Sequence, residues 1–259
     1  LIATLPATLA DRVEWLDAPP AQPWQGMIVA NEVLDALPVE CFAWRREQTG
    51  AGSDHIVARG VGLDDAGELC WRDAPPSAAL ADEVVRIRAS LPLPWPDDYE
   101  SELCLRAAPW VATLTQTMQR GVALFIDYGL PRREYYHPSR IAGTLRCHHR
   151  HRAHDDPFAH PGLEDITAWV DFTRVAEAGD AADLDVLGYT TQAALLLSLG
   201  LDAAVADSPD ESTRVRRANQ ARQLVMPTQM GETFKAMALG RGVEGPLRGF
   251  ALQNSLGRL

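Results

Sequence analysis

Residues 26–39, GMIVANEVLDALPV, constrain the fold most. Gly26 opens a short apolar run, Met27 to Ala30, that ends abruptly in Asn31-Glu32, with Asp35 and Pro38 close behind. A continuous apolar run bounded by polar residues reads as a buried strand of a parallel sheet. A second run, VALFID at residues 122–127, follows a break at Gly121 and ends in Asp127-Tyr128-Gly129. Helix, glycine, apolar strand, acid is the grammar of a βαβ unit, so the expected class is α/β. Open α/β sheets hold ligands just outside the carboxyl ends of their strands. Two strands that deliver Asn31, Glu32, Asp35 and Asp127 to one edge point to a ligand site there. The alternative is that Asn31 and Asp35 only cap the following turn.

The remaining segments read as follows. RVEWL at 12–16 alternates like a strand. Residues 39–46, 55–61 and 69–73 read as short antiparallel strands. Ser77 caps a helix whose apolar positions are Leu80, Val84 and Ile87. The proline-rich LPLPWPDD, 91–98, is the best linker candidate. Residues 99–119 read as a helix interrupted at Pro109. Residues 130–166 are long, polar and irregular and hold six of the seven histidines, the pattern of a functional loop. Helices are expected over 167–179, 190–199 (stopped by Gly200), 208–224 and 229–239, a strand over 184–187 and a strand pair over 243–252.

Charge and composition narrow the chemistry. A net charge of −11 argues against a generic binder of nucleic acid or anionic membranes. No apolar run reaches the ~18 residues of a membrane span, and the first residues lack a basic start. Cys41, Cys70, Cys104 and Cys147 are widely spaced, which fits reduced thiols. These features make a bacterial cytoplasm the default compartment. CHHRHRAHDD, 147–156, is dense in metal-ligand side chains, but Arg146, Arg150 and Arg152 are interleaved, and cations beside a dication are unfavourable. No metal ligands are therefore assigned. There is no G-x-S-x-G for a nucleophilic hydrolase and no phosphate-binding glycine loop. Group transfer to a nitrogen remains: a guanidinium is always protonated in solution and is bound best by planar carboxylates, and Glu32, Asp35, Glu102 and Asp127 would suit that task. Each could equally be a solvated acid.

Several blocks occur in a familiar order: NEVLDALPV, YESELCLRAAPW, FIDYG, EYYHPSRIAGTLRCHHRHRAHDDPFAHPG, DITAWVDF, GYTTQAALLLSLG and MGETFKAMALGRG. Together they resemble the MidA-like family of S-adenosylmethionine-dependent methyltransferases, which includes a mitochondrial complex I assembly factor that methylates a protein arginine. The resemblance implies a class I, Rossmann-like methyltransferase sheet with helices on both faces, in which 12–16, 26–30 and 122–127 are the third, fourth and fifth strands. It implies that the first strands and the glycine-rich cofactor turn would precede Leu1, so that the chain corresponds to the C-terminal two-thirds and would be inactive alone. Residues 1–38 and 99–259 would form the core, with 130–166 as a covering loop and 39–98 as an inserted substrate-side subdomain. S-adenosyl-L-methionine is the implied cofactor, and an arginine of a partner protein the implied acceptor. Glu32, with Asn31 and Asp35, would bind the guanidinium and help remove its proton. Asn31, Asp127 and Tyr128 would shape the cofactor junction. Tyr99 and Glu102 are further substrate candidates, and Arg146, His148, His154 and Asp165 would order the covering loop. A homodimer is carried as a candidate assembly. Trp169 stands where the family pattern DITAHVDF has His, which weakens a proton-transfer role there. Two alternatives stay open: a non-catalytic assembly scaffold on the same fold, and a metal-dependent enzyme using the histidine loop.

Overall fold

The computed structural model describes residues 9, 12–45, 55–150 and 152–259. The larger sheet is organised on one long strand, β6 (Met118–Leu130). On it lie β1 (Trp24–Asn31), parallel, and β12 (Phe234–Arg241), antiparallel. Beyond β12 comes β11 (Asp185–Thr191), antiparallel, and β10 (Val170–Asp171) adds a short parallel pairing at Gly129 and Leu130 of β6. Side chains alternate across the strands. Ala123, Phe125, Met237 and Leu239 enter one core with Val111 and Val175, from helices Ala107–Thr115 and Phe172–Ala181. Val122, Ala236 and Ala238 enter another, closed by Leu195 of helix Gln192–Ser198 and by Phe250. Helices on both faces of a mixed sheet make this the expected α/β architecture.

A second sheet is antiparallel throughout, in the order β4 (Leu69–Ala74), β3 (His55–Leu63), β2 (Glu40–Arg45), β5 (Tyr99–Leu103). Helix Ala78–Ser90, capped by the Ser77 hydroxyl at 3.1 Å, buries Leu80, Val84 and Ile87 against Phe42, Trp95 and Tyr99. Trp95 stacks on Tyr99 with ring centroids 4.7 Å apart and donates its indole N–H to the Tyr136 carbonyl at 3.0 Å. The proline-rich segment around it is therefore anchored in a core and is no free linker. A three-stranded ribbon, β8 (Arg152–His154), β7 (Arg146–His149), β9 (Asp165–Thr167), gives regular structure to the stretch expected to be irregular.

Other expectations need correction. Residues 12–16 form a turn and coil with Val13, Trp15 and Leu16 exposed, because no described strand lies beside them. Tyr99 starts β5, not a helix: it pairs with Trp44 of β2, and helix begins only at Ala107. The helix expected over 229–239 is one turn, Met230–Thr233, followed by β12, buried from Phe234 to Gly240. The helix expected from 167 starts at Phe172, where Asp171 caps it by accepting from the Thr173 and Arg174 N–H groups. The strand pair expected over 243–252 is turn and a single 3-10 turn, Arg248–Phe250. β1 is a parallel strand but not a buried one: Met27 and Val29 are 63% and 62% exposed, because no described element covers that face. Arg46, the Gly50 and Gly52 turn and His151 lie outside the described residues.

Candidate functional site

β1 and β6 run parallel and end side by side, with Asn31 opposite Ile126. At this edge the backbone turns through Glu32, whose φ of 50° is the left-handed conformation uncommon for a side-chain-bearing residue. The turn is held from below. Asp127, 1% exposed, accepts the N–H groups of Val33, Leu34 and Asp35 on Oδ2 at 3.2, 3.0 and 3.2 Å, and that of Tyr128 on Oδ1 at 2.9 Å. Burial, with the nearby Asp35 charge, pushes the Asp127 carboxyl up to about 7 against the pull of those N–H groups.

Asp35 is 6% exposed and sits beside this anchor. Its Oδ2 accepts the Tyr128 hydroxyl, while its Oδ1 is buried with no hydrogen-bond partner. Asp35 also lines a cleft of about 760 Å³. The floor of the cleft is the segment from Asp35 to Cys41, one wall is Val61, Leu69 and Trp71 of the second sheet, and the cover is Phe158 and Ile166. Trp71 and Phe158 meet edge to face across it, at 5.2 Å. A smaller cavity of about 360 Å³ adjoins, sharing Cys41, Arg59, Trp71 and Leu145 with the cleft. Burial, then the neighbouring Glu102, pushes the Cys41 thiol up to about 12, so it stays protonated and is no nucleophile at neutral pH.

The expected site residues therefore separate. Asp35, Tyr128 and Asp127 form one hydrogen-bonded cluster at the strand ends. Asn31 and Glu32 are exposed on the same edge, joined by a 3.1 Å hydrogen bond from the Asn31 amide to Glu32, and neither lines the cleft. Glu102 is buried under the smaller cavity. It accepts the Tyr135 hydroxyl at 2.5 Å, the Thr144 hydroxyl at 2.6 Å and the Thr144 N–H at 3.0 Å, and burial raises its carboxyl above the usual range. Tyr99 lies fully buried in the aromatic core. Arg146 pairs with Asp155, and His154 Nε2 stands 2.9 Å from a Glu164 side chain that is only 1% exposed. His148 and Asp165 face each other across the β7–β9 pairing, both exposed. Among the described residues no three His, Cys, Asp or Glu side chains converge as metal ligands.

Sequence reasoning missed Trp71, Phe158, Ile166 and Glu164. Phe158 carried a signal, as a lone aromatic within the polar HDDPFAHPG. Trp71 carried none, because its facing partner is distant in sequence.

Residues 2–190 match the family described as "Putative S-adenosyl-L-methionine-dependent methyltransferase". The chain is 27% identical over 215 residues to the protein arginine methyltransferase NDUFAF7, mitochondrial, of Danio rerio, covering 81% of this chain and 46% of that protein. It is 27% identical over 226 residues to the NDUFAF7 homolog of Drosophila melanogaster, covering 84% and 47%. A crystal structure from Burkholderia thailandensis, described as a "likely methyl transferase" bound to S-adenosyl-homocysteine, superposes with a TM-score of 0.86 at 42% identity, over 97% of this chain and 62% of that one. A second structure from that organism, of an uncharacterized protein, gives the same TM-score and identity and is covered to 64%. The chain thus spans about half the length of the animal relatives and under two-thirds of the bacterial ones. No helix among the described residues is long and apolar enough to cross a membrane.

Proposed function

This chain belongs to the MidA-like family of S-adenosyl-L-methionine-dependent methyltransferases, and from that premise we propose that it serves methyl transfer to an arginine of a partner protein in a bacterial cytoplasm. The observation that carries the proposal is Asp35. Its buried Oδ1 lacks a partner, and a buried acceptor without a donor is costly. A cation entering the cleft supplies what that oxygen lacks. A guanidinium offers N–H donors in a fixed plane, and the apolar walls Val61, Leu69 and Trp71 suit the stem of a long side chain.

The cofactor supplies a methyl group on a sulfonium sulfur. The strand-end residues fit such a cationic group, since Asp35 Oδ1 and the Tyr128 ring lie at the edge where Asn31 presents its exposed amide. In this reading Asn31 contacts the cofactor and Tyr128 fixes Asp35. Asp127 acts from beneath, holding the turn. Asp35 orients the acceptor nitrogen, and Glu32, exposed on the same strand-end edge, takes the proton released as that nitrogen gains the methyl. Positioning and charge placement do most of the work in an in-line displacement of this kind. Residues 39–98 and the cover 130–166 form the acceptor side.

Calorimetric titration of S-adenosylhomocysteine into this chain, and into the protein at the full length of its relatives, tests the cofactor site; binding to neither removes the reading. For the acceptor side, Asp35→Asn and Glu32→Gln in the full-length protein are expected to lower kcat/KM at least tenfold, in the range of lost acid–base and positioning roles, with S-adenosylhomocysteine affinity unchanged. Full methyl transfer by Glu32→Gln would end its assignment.

A further inference from the structure

The smaller cavity holds one cation that makes no ion pair among the described residues. Its charged lining is Arg59, Glu100, Glu102, Arg140, Arg146 and Asp155. Arg59 pairs with Glu100, and its Nε lies 3.1 Å from Asp73. Arg146 pairs with Asp155, and Glu102 is satisfied by Tyr135 and Thr144. Among the described residues Arg140 alone of these makes no ion pair and no guanidinium hydrogen bond; the nearby charge of Glu102, already engaged by Tyr135 and Thr144, is the one acid it acts on. The guanidinium lies over the Trp169 ring, 5.2 Å from the centroid, with Nε buried and unpartnered. A half-buried cation in this state has lost hydration without gaining a direct ion pair.

The backbone that follows Arg140 is pinned. The Glu100 N–H donates to the Ile141 carbonyl at 3.0 Å, and the Thr144 N–H donates to Glu102. Gly143 passes over Glu102 at φ 67°, so closely that a Cβ there would lie 2.1 Å from Glu102 Oε2. The guanidinium is thus presented by a pinned segment, the arrangement that lowers the ordering cost of binding. The cavity and the cleft share Cys41, Arg59, Trp71 and Leu145 as walls, so a segment lying along this groove of adjoining pockets would meet Asp35 in one and Arg140 in the other.

We propose that Arg140 is the specificity anchor of this groove and takes the carboxylate of an acidic residue near the methyl-accepting arginine in the same polypeptide segment. The inference rests on the arginine-acceptor reading above and extends it to the neighbouring sequence. A guanidinium and a carboxylate pair through two parallel N–H···O bonds, which gives direction as well as affinity.

The test uses this chain and fluorescent peptides that each carry one central arginine among small neutral residues, with a single glutamate moved along the peptide. Anisotropy is expected to show one register of glutamate binding about tenfold tighter than the glutamate-free peptide. Arg140→Met, which keeps an apolar stem on Trp169, is expected to lose that preference, and Arg140→Lys to keep part of it. Near-ultraviolet circular dichroism checks that both variants are folded. Equal binding for all glutamate positions, a preference that survives Arg140→Met, or no binding by any peptide would overturn the proposal. A parallel set with central glutamine separates the two readings. Glutamate preference that persists there at undiminished affinity supports the Arg140 site and counts against arginine recognition at Asp35. Arginine-dependent binding without glutamate preference does the reverse.

Discussion

Asp127 owes its environment to residues 92 to 94 positions away in sequence, the three N–H groups of the turn after β1. An acid at the end of a strand is visible in the sequence; whether it faces a ligand or a backbone is not, since that depends on which donors the fold brings to it. The strand-end acids were therefore legible as a group. Their division into an anchor (Asp127), an acceptor in the cleft (Asp35) and an exposed pair (Asn31 and Glu32) was not. The anchor role predicts that Asp127→Ala, which strands those buried donors, lowers stability by about 3 kcal/mol in urea unfolding. Asp127→Asn is expected to cost less, because one oxygen still accepts while the amide opposes a donor. A variant Asp127→Ala within about 0.5 kcal/mol of the parent, the range of a neutral surface change, would show that the turn is held by something else.

The continuous apolar runs of β1 and β6 made both legible as parallel strands, but the burial such a run implies holds for β6 and fails for β1, whose Met27 and Val29 are exposed. β12 was not legible. FKAMALGR is rich in helix formers, and its strand state is imposed by two neighbours, β6 and β11, that hydrogen-bond it on both edges. Tyr99–Leu103 was misread for the same reason, since its pairing with β2 makes it a strand. The contact of β1 with β6 has its own requirement. Gly121 lies opposite Gly26 in the parallel register, and a Cβ on it would come within 2.0 Å of the Gly26 carbonyl oxygen. That neighbour is backbone and cannot swing aside, so Gly121→Ala must push the strands apart. The expected cost is about 2–3 kcal/mol, the scale of overpacking in a rigid core, read as a lower urea midpoint. Gly67→Ala probes a different cost: nothing lies within 4 Å of its Cβ position, so only its φ of 82° penalises the change, by about 1 kcal/mol.

The two sheets must stay registered for a cleft between them to keep its shape, and a chain of charges joins their helices. Arg86, on the helix under the second sheet, bonds Glu83 and reaches Glu177 at 2.8 and 2.9 Å on the helix under the first. Glu177 also takes Arg132 at 2.5 and 2.6 Å, Arg132 reaches Asp171 at 3.2 Å, and Arg174 returns to Glu83 at 2.6 Å. No sequence pattern announced this link, because its members are scattered over three stretches of the chain and look like ordinary surface charges. Burial alone would raise the Glu177 carboxyl, but hydrogen bonds from Arg132 and Arg86 outweigh it and hold it at about 2. The folded value lies below the unfolded one, so its stabilisation is fully present above about pH 4.5 and is lost as pH falls toward 2. Glu177 is 39% exposed, and solvent screening leaves about 1 kcal/mol of that stabilisation. Glu177→Gln is therefore expected to lie about 1 kcal/mol below the parent in urea unfolding at pH 7, with the gap closing as pH falls from about 4.5 toward 2, where the unfolded parent's carboxylate takes up its proton before the folded one does. Glu83 shares Arg86 with Glu177, so its titration is coupled to the substitution and the gap reports the Glu177 link within this network. A gap that stays constant from pH 7 to pH 3 would mean that Glu177 contributes through packing alone, and that the two sheets are held in register by their apolar contacts without the charged link.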